Sequence, residues 1–180
     1  MNKKNKTILS AAVIVLGVIL DQITKMIAVN GLKDAGYVSL LGDILGFELV
    51  KNPGAFLGMF SDNRLMFMIP SMIMIGVLFV WIYLHDSPHP LFVVSLSLLV
   101  SGGIGNMIDR IRLEYVIDFI SFKFINFPNF NIADSFITIG CVLLVICVFI
   151  PGTDIFDVTF SAKKAKQKTK VPSNPENKDE

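Results

Sequence analysis

The sequence predicts an all-α membrane protein with four transmembrane helices. The chain of 180 residues is 53% hydrophobic. Its charged fraction is 17%, against about 25% in ordinary soluble domains. The apolar residues fall into four long runs, and a spanning helix needs about 20 such residues. The runs are too long and uniform for the alternating strands of a membrane barrel, and the net charge of +1 excludes a global nucleic-acid footprint.

The predicted spans are about 8–29, 65–84, 91–108 and 132–150. The second and third contain no charged residue, whereas Asp21 and Lys25 interrupt the first. Lysines before the first span resemble the start of a signal peptide, but no small-residue cleavage signal follows, so we interpret it as a retained span. Residues 1–160 are expected to form one membrane domain, and residues 161–180 a disordered, Lys-rich tail.

Charge and loop length predict the topology. Lysines cluster at both ends of the chain, so the positive-inside rule favours cytoplasmic termini. The connections 30–63 and 111–131 then face outward. In the first, Tyr37–Leu41 and Phe47–Lys51 have the character of short strands. The second is so rich in phenylalanine that it should lie in the membrane interface, and we expect an interfacial helix beside the small β-containing loop.

Each charge within or beside a span needs a physical reason. Asp21 and Lys25 are four residues apart and share a helix face, so we interpret them as a structural ion pair rather than as a catalytic acid. At the end of the third span, Ser101 and Gly105 allow a neighbouring helix to approach closely. Close packing does not explain the polar residues that follow, which are Asn106, Asp109 and Arg110.

Two further carboxylates are expected at the same outer level of the membrane. Asp134 opens the fourth span and would serve, taken alone, as a helix N-cap. Asp118 lies among valine, isoleucine and phenylalanine, where no such structural role explains it. Two carboxylates in one poorly hydrated site share a proton, which suits one to act as base on a water molecule and the other as acid.

Other chemistries fit the sequence less well. His85 and His89 fall on the cytoplasmic side, away from the polar cluster, which disfavours a serine–histidine, cysteine–histidine or zinc site. A serine–lysine pair using Lys25 or Lys123 with Ser121 or Ser135 stays open, although no spacing singles one out. We expect no metal and no organic cofactor.

Five blocks of this sequence resemble successive motifs of the lipoprotein signal peptidases (signal peptidase II), which are membrane aspartic peptidases. They are Asp21-Gln-Ile-Thr-Lys25, Asn52-Pro-Gly-Ala55, Gly102-Gly-Ile-Gly-Asn-Met-Ile-Asp-Arg110, Val116-Ile-Asp-Phe119 and Phe130-Asn-Ile-Ala-Asp-Ser135. The blocks occur in the family's order over roughly residues 8–150. Each block alone is a weak signal, and five in order on four spans are a strong one.

The resemblance implies a catalytic dyad of Asp118 and Asp134 that cuts the signal peptide before a diacylglyceryl-modified cysteine in bacterial prolipoproteins. It also implies a set of residues that line or brace the site: Asn52, Gly54, Asn106, Asp109, Arg110, Asn131 and Ala133. Asp21 and Lys25 would be supporting residues. Phe56-Leu57 departs from the family's usual small-then-aromatic pattern, which puts the substrate contacts of the first outer loop in doubt.

Two rival functions differ in class from a peptidase. A small ion- or proton-coupled transporter would use the intramembrane carboxylates as a relay, but a relay should cross the membrane and these carboxylates cluster toward one face. A non-catalytic scaffold would gain nothing from clustered charges. We therefore expect a monomeric enzyme of the bacterial cytoplasmic membrane, in contact with membrane lipid and with a lipid-modified prolipoprotein substrate.

Overall fold

The computed structural model describes residues 1–42, 44–54, 65–84 and 89–150. These ranges contain four helices and three strands: α1 Lys3–Leu32, β1 Tyr37–Leu41, β2 Leu45–Asn52, α2 Leu65–Leu84, α3 Pro90–Leu113, β3 Val116–Phe122 and α4 Ile132–Phe149. The four helices coincide with the four predicted apolar segments. Of these, α1, α3 and α4 are long and apolar enough to cross a membrane, and Met68–Leu84 of α2 is a shorter apolar helix. The predicted tail and Phe56-Leu57 lie outside the described residues.

Helix α3 forms the centre of the bundle, packed against the other three helices. Its Leu96 and Val100 are fully buried and belong to one apolar cluster with residues of α2 and α4. Small residues allow the close approach of α4, because a Cβ atom at Gly102 would collide with the carbonyl oxygen of Ala133. The bundle's outer faces carry exposed isoleucine, leucine and valine, as expected of surfaces that face lipid.

A three-stranded antiparallel sheet in the order β1-β2-β3 lies at one end of the bundle, called here the sheet end. The first two strands match the strands predicted from sequence. Ile117 and Phe119 of β3 pack with Ala28 near the end of α1, which fixes the sheet to the helices.

The aromatic segment 111–131 differs from the expectation of an interfacial helix. It contains the end of α3, the strand β3 and turns, and the only helices among the described residues are α1 to α4. The segment Val116–Phe122 alternates two faces and is rich in β-branched and aromatic residues, which favours a strand when a partner such as β2 is available. The rings of Phe124, Phe127 and Phe130 each contact the ring of Phe122 next to the sheet, the first two of them edge to face.

Candidate active site

Asp118 lies on β3 with its side chain buried. Both carboxylate oxygens accept amide hydrogen bonds: Oδ1 from Asn131 Nδ2 at 2.7 Å, and Oδ2 from Asn52 Nδ2 at 2.9 Å. The pKa of Asp118 is raised to about 6, chiefly by burial and also by the nearby charge of Asp134, while the hydrogen bonds from Asn52 and Asn131 oppose the rise. The group is therefore suited to exchange a proton close to neutral pH.

Asp134 lies in the first turn of α4 and is half-buried. Its Oδ1 accepts a hydrogen bond from Asn106 Nδ2 at 2.8 Å, and its Oδ2 accepts one from the backbone N–H of Asn131 at 3.1 Å. The N-cap of α4 is Asn131, whose Oδ1 accepts from the backbone N–H of Asp134. The interpretation of Asp134 as the cap itself is therefore corrected: it is the third helical residue of a capping box.

Asn131 connects the two carboxylates. It is fully buried, and its Nδ2 lies within hydrogen-bond distance of Asp118 Oδ1, of Asn106 Oδ1 at 3.1 Å and of the Ile117 carbonyl oxygen at 3.3 Å. Its backbone N–H bonds to Asp134. One residue thus fixes the position of both acids, because it contacts the strand that carries one and begins the helix that carries the other.

A buried ion cluster lies behind the two acids. Lys25 Nζ is 2.9 Å from Asp21 Oδ2 and 2.9 Å from Asp109 Oδ2, and it donates to Asn106 Oδ1 at 3.0 Å. The predicted pair of Asp21 and Lys25 is therefore present, with Asp109 as an additional partner.

The same carboxylates also bond to neighbouring backbone. Asp21 Oδ1 accepts from the Ala133 N–H at 3.0 Å, and Asp109 Oδ2 accepts from the Ile117 N–H at 3.1 Å. The cluster consequently ties α1 and α3 to the strand and helix that carry the acids.

The two acids line one cavity of about 400 Å³. Four other predicted site residues also line it: Asn52, Gly54, Asn106 and Arg110. The structure places the remaining three in the bracing network: Asp109, Asn131 and Ala133.

Several residues of the site were not predicted from sequence. Ser71, Thr138, Phe127 and Phe130 line the cavity, and Gln22 donates to Asp21 and Asp109. Sequence signals existed for three of them: Thr138 lies four residues after Asp134 on the same helix face, and Gln22 and Phe130 lie inside two of the quoted blocks.

The alternative chemistries gain no support from the described residues. His89 caps α3 by accepting from the Leu91 N–H, and α3 runs from there to the sheet end, so His89 lies far from the cavity. Lys25 is engaged in the ion cluster, and Lys123 pairs with Glu48 at 2.9 Å, so neither lysine activates a serine. The carboxylates Asp21, Asp109, Asp118 and Asp134 all lie at the sheet end, which gives a transporter no relay across the bundle.

Comparisons with known proteins match most of this chain to one family. Residues 13–150 match the family model described as signal peptidase (SPase) II. A lipoprotein signal peptidase of Clostridium tetani (strain Massachusetts / E88) is 37% identical over 139 residues, 76% of this chain and 89% of that protein. A lipoprotein signal peptidase of Streptococcus pyogenes serotype M5 (strain Manfredo) is 35% identical over 147 residues, which cover 82% of this chain and 95% of that protein. A bacterial membrane enzyme solved by the in meso method at 1.9 Å superposes with a TM-score of 0.72 at 33% identity, covering 79% of this chain and 93% of that one.

Proposed function

The chain belongs to the signal peptidase II family, and from that premise we propose that it cleaves signal peptides from bacterial prolipoproteins with Asp118 and Asp134 as an aspartic dyad. The observation that carries the assignment of the dyad is the shared hydrogen-bond network. Asn131 bonds to both carboxylates, and both line one cavity. A lipoprotein signal peptidase is a membrane hydrolase, and the apolar helices agree with a protein of the bacterial cytoplasmic membrane.

The proposed mechanism uses one proton shared by the two acids. The ionised carboxylate removes a proton from a water molecule, whose oxygen then bonds to the scissile carbonyl carbon. The protonated carboxyl donates its proton to the carbonyl oxygen, and the C–N bond breaks after a proton reaches the leaving nitrogen. Asn52, Asn106 and Asn131 contribute by holding the two carboxylates in place with neutral donors.

Our proposed topology has α2 as the fourth span and the active site on the extracytoplasmic side. Lys6 Nζ donates to the Tyr83 carbonyl oxygen at 3.0 Å, so the start of α1 lies beside the end of α2, opposite the sheet end. Asp21 is 15 residues further along α1, a rise of about 22 Å at 1.5 Å per residue. With the Lys-rich N-terminus in the cytoplasm, the dyad lies near the outer membrane surface.

The proposed substrate carries a diacylglyceryl-modified cysteine and enters sideways from the bilayer, because its signal helix and its acyl chains are both soluble in lipid. Phe127 and Phe130 support this, since they form an apolar aromatic wall next to Asp134 in the cavity. We propose that a single chain suffices, because every side chain assigned to the dyad and its network comes from one copy.

The test is cleavage of a lipidated precursor peptide by the purified full chain in detergent. Asp118→Asn and Asp134→Asn keep side-chain size and remove the titrating group, so each should lower the rate by at least about 10³-fold. The matched control is Asp34→Asn, which makes the same change at an exposed position near the sheet end. Near-parental turnover in either dyad variant, with the protein folded, would return that residue to a structural role.

A further inference from the structure

A second groove lies beside the end of α3 and is separate from the catalytic cavity. Its volume is about 380 Å³, and its walls come from the last turns of α1, the end of α3 and the start of β3. Its lining residues include Met26, Lys25, Asp109, Arg112, Tyr115 and Ile117. None of these residues lines the catalytic cavity.

The two-residue period of β3 explains why two separate spaces exist. Val116 and Asp118 point into the catalytic cavity, whereas Tyr115 and Ile117 line the groove. Lys51 of β2 pairs in register with Ile117 and therefore shares the groove side of the sheet. Its ammonium nitrogen is 5.3 Å from the centre of the Tyr115 ring.

The groove combines an apolar wall with a cationic rim. Ile23 and Met26 are exposed on the outer face of α1, where acyl chains would contact them. Arg112 is exposed in the last turn of α3, and Lys51 is exposed beside Tyr115. The groove floor contains Lys25 and Asp109, whose opposite charges pair with each other at 2.9 Å.

We propose that this groove binds one phospholipid with an anionic headgroup. The groove lies where α1 and α3 end, which is the depth at which a span meets the lipid headgroups. Arg112 and Lys51 would bind the phosphate and the anionic headgroup, and the apolar wall would hold the first part of one acyl chain.

The position of the groove links this lipid to the active site. The groove floor includes Lys25 and Asp109, which belong to the ion cluster behind the dyad. A lipid in the groove would pack against that cluster and bind the folded state alone. Binding therefore raises the thermal stability of the protein once the lipid concentration exceeds the dissociation constant, and the stability then rises with the logarithm of the concentration.

The experiment titrates the detergent-purified full chain with phosphatidylglycerol, and separately with zwitterionic phosphatidylcholine, while the melting temperature is recorded. Phosphatidylglycerol should raise the melting temperature of the parent with the logarithm of its concentration above the dissociation constant, and phosphatidylcholine should leave it nearly unchanged. Arg112→Gln should weaken the apparent affinity about fivefold, the equivalent of one basic residue near an anionic membrane surface. The matched control is Lys33→Gln, which removes an exposed charge at the end of α1 outside the groove.

A second variant distinguishes lipid binding in the groove from general attraction of anionic lipid to an exposed arginine. Met26→Trp fills the groove from its exposed outer wall and keeps Arg112 and Lys51 in place. We expect this variant to lose the rise in melting temperature with phosphatidylglycerol. A parental response in Met26→Trp or in Arg112→Gln, or equal stabilisation by phosphatidylcholine, would overturn the proposal. The readout is stability, so these outcomes do not depend on the assignment of the dyad.

Discussion

Substituting Asp118 with asparagine should change the pH dependence of stability as well as abolish activity. Burial raises the pKa of Asp118 from 3.8 to about 6. A shift of about two pKa units corresponds to about 3 kcal/mol at 1.36 kcal/mol per unit. Because the folded state holds this proton more tightly than the unfolded chain, the free energy of unfolding falls as pH rises from about 4 to about 6 and is level above that window. Asparagine has no such proton and removes this dependence.

The asparagine variant also loses one hydrogen-bond acceptor. Both oxygens of Asp118 accept from amide groups, so the new NH₂ group must face one of those donors, Asn52 or Asn131. That mismatch costs about 1–3 kcal/mol. The cost does not depend on pH, so it cancels when the difference between parent and variant at pH 4 is compared with the difference at pH 7.5.

The assay is reversible unfolding in detergent across this pH range for the parent, Asp118→Asn and the exposed control Asp34→Asn. The free energy of unfolding of the parent should fall by about 2.5 kcal/mol relative to that of Asp118→Asn between pH 4 and pH 7.5, and the control should follow the parent. Cleavage of a lipidated precursor by Asp118→Asn should be absent at every pH. Parallel stability curves for parent and Asp118→Asn would show that Asp118 titrates as an ordinary aspartate, which would refute the reasoning from its burial.

Four further outcomes are expected. Asp21→Ala removes one of the two carboxylates that pair with Lys25 and leaves the buried Ala133 N–H without its acceptor, so it should lower the free energy of unfolding by about 1–3 kcal/mol while the folded fraction still cleaves; a stable but inactive variant would contradict the bracing role. The double variant of the two dyad residues should be hardly slower than either single one. Excess chelator should leave activity unchanged, and restoration by a divalent ion would argue for metal-activated water. A reporter fused to the C-terminus should be active only in the cytoplasm.

Local sequence patterns were sufficient to predict the helices and one ion pair. Apolar runs of span length gave the four helices, and the four-residue spacing of Asp21 and Lys25 gave their contact. Neither pattern depends on the rest of the chain. The first two strands could likewise be predicted from sequence, because Tyr37–Leu41 and the residues around Phe47 combine strand-forming side chains with a following turn.

The parts that sequence did not predict depend on contacts between distant segments. The strand β3 exists because β2 is available to pair with it, and its aromatic residues alone favoured an interfacial segment. Lys25 and Asp109 are in contact although 84 positions separate them in the sequence, and no repeating pattern of residues predicts a contact over that distance. The central position of Asn131 is of the same kind, since a cap can be predicted from sequence but its bond to Asp118 cannot.

The placement of Asn106 explains how the buried Lys25 can brace the site without contacting Asp134 directly. Lys25 donates to Asn106 Oδ1, and Asn106 Nδ2 donates to Asp134 Oδ1. A lysine in direct contact with Asp134 would favour the ionised form and oppose the sharing of a proton with Asp118. The neutral amide of Asn106 separates Lys25 from Asp134, while Lys25 pairs with Asp21 and Asp109. The two carboxylates of the proposed dyad are thereby held in position by neutral donors, with no lysine in direct contact with Asp134.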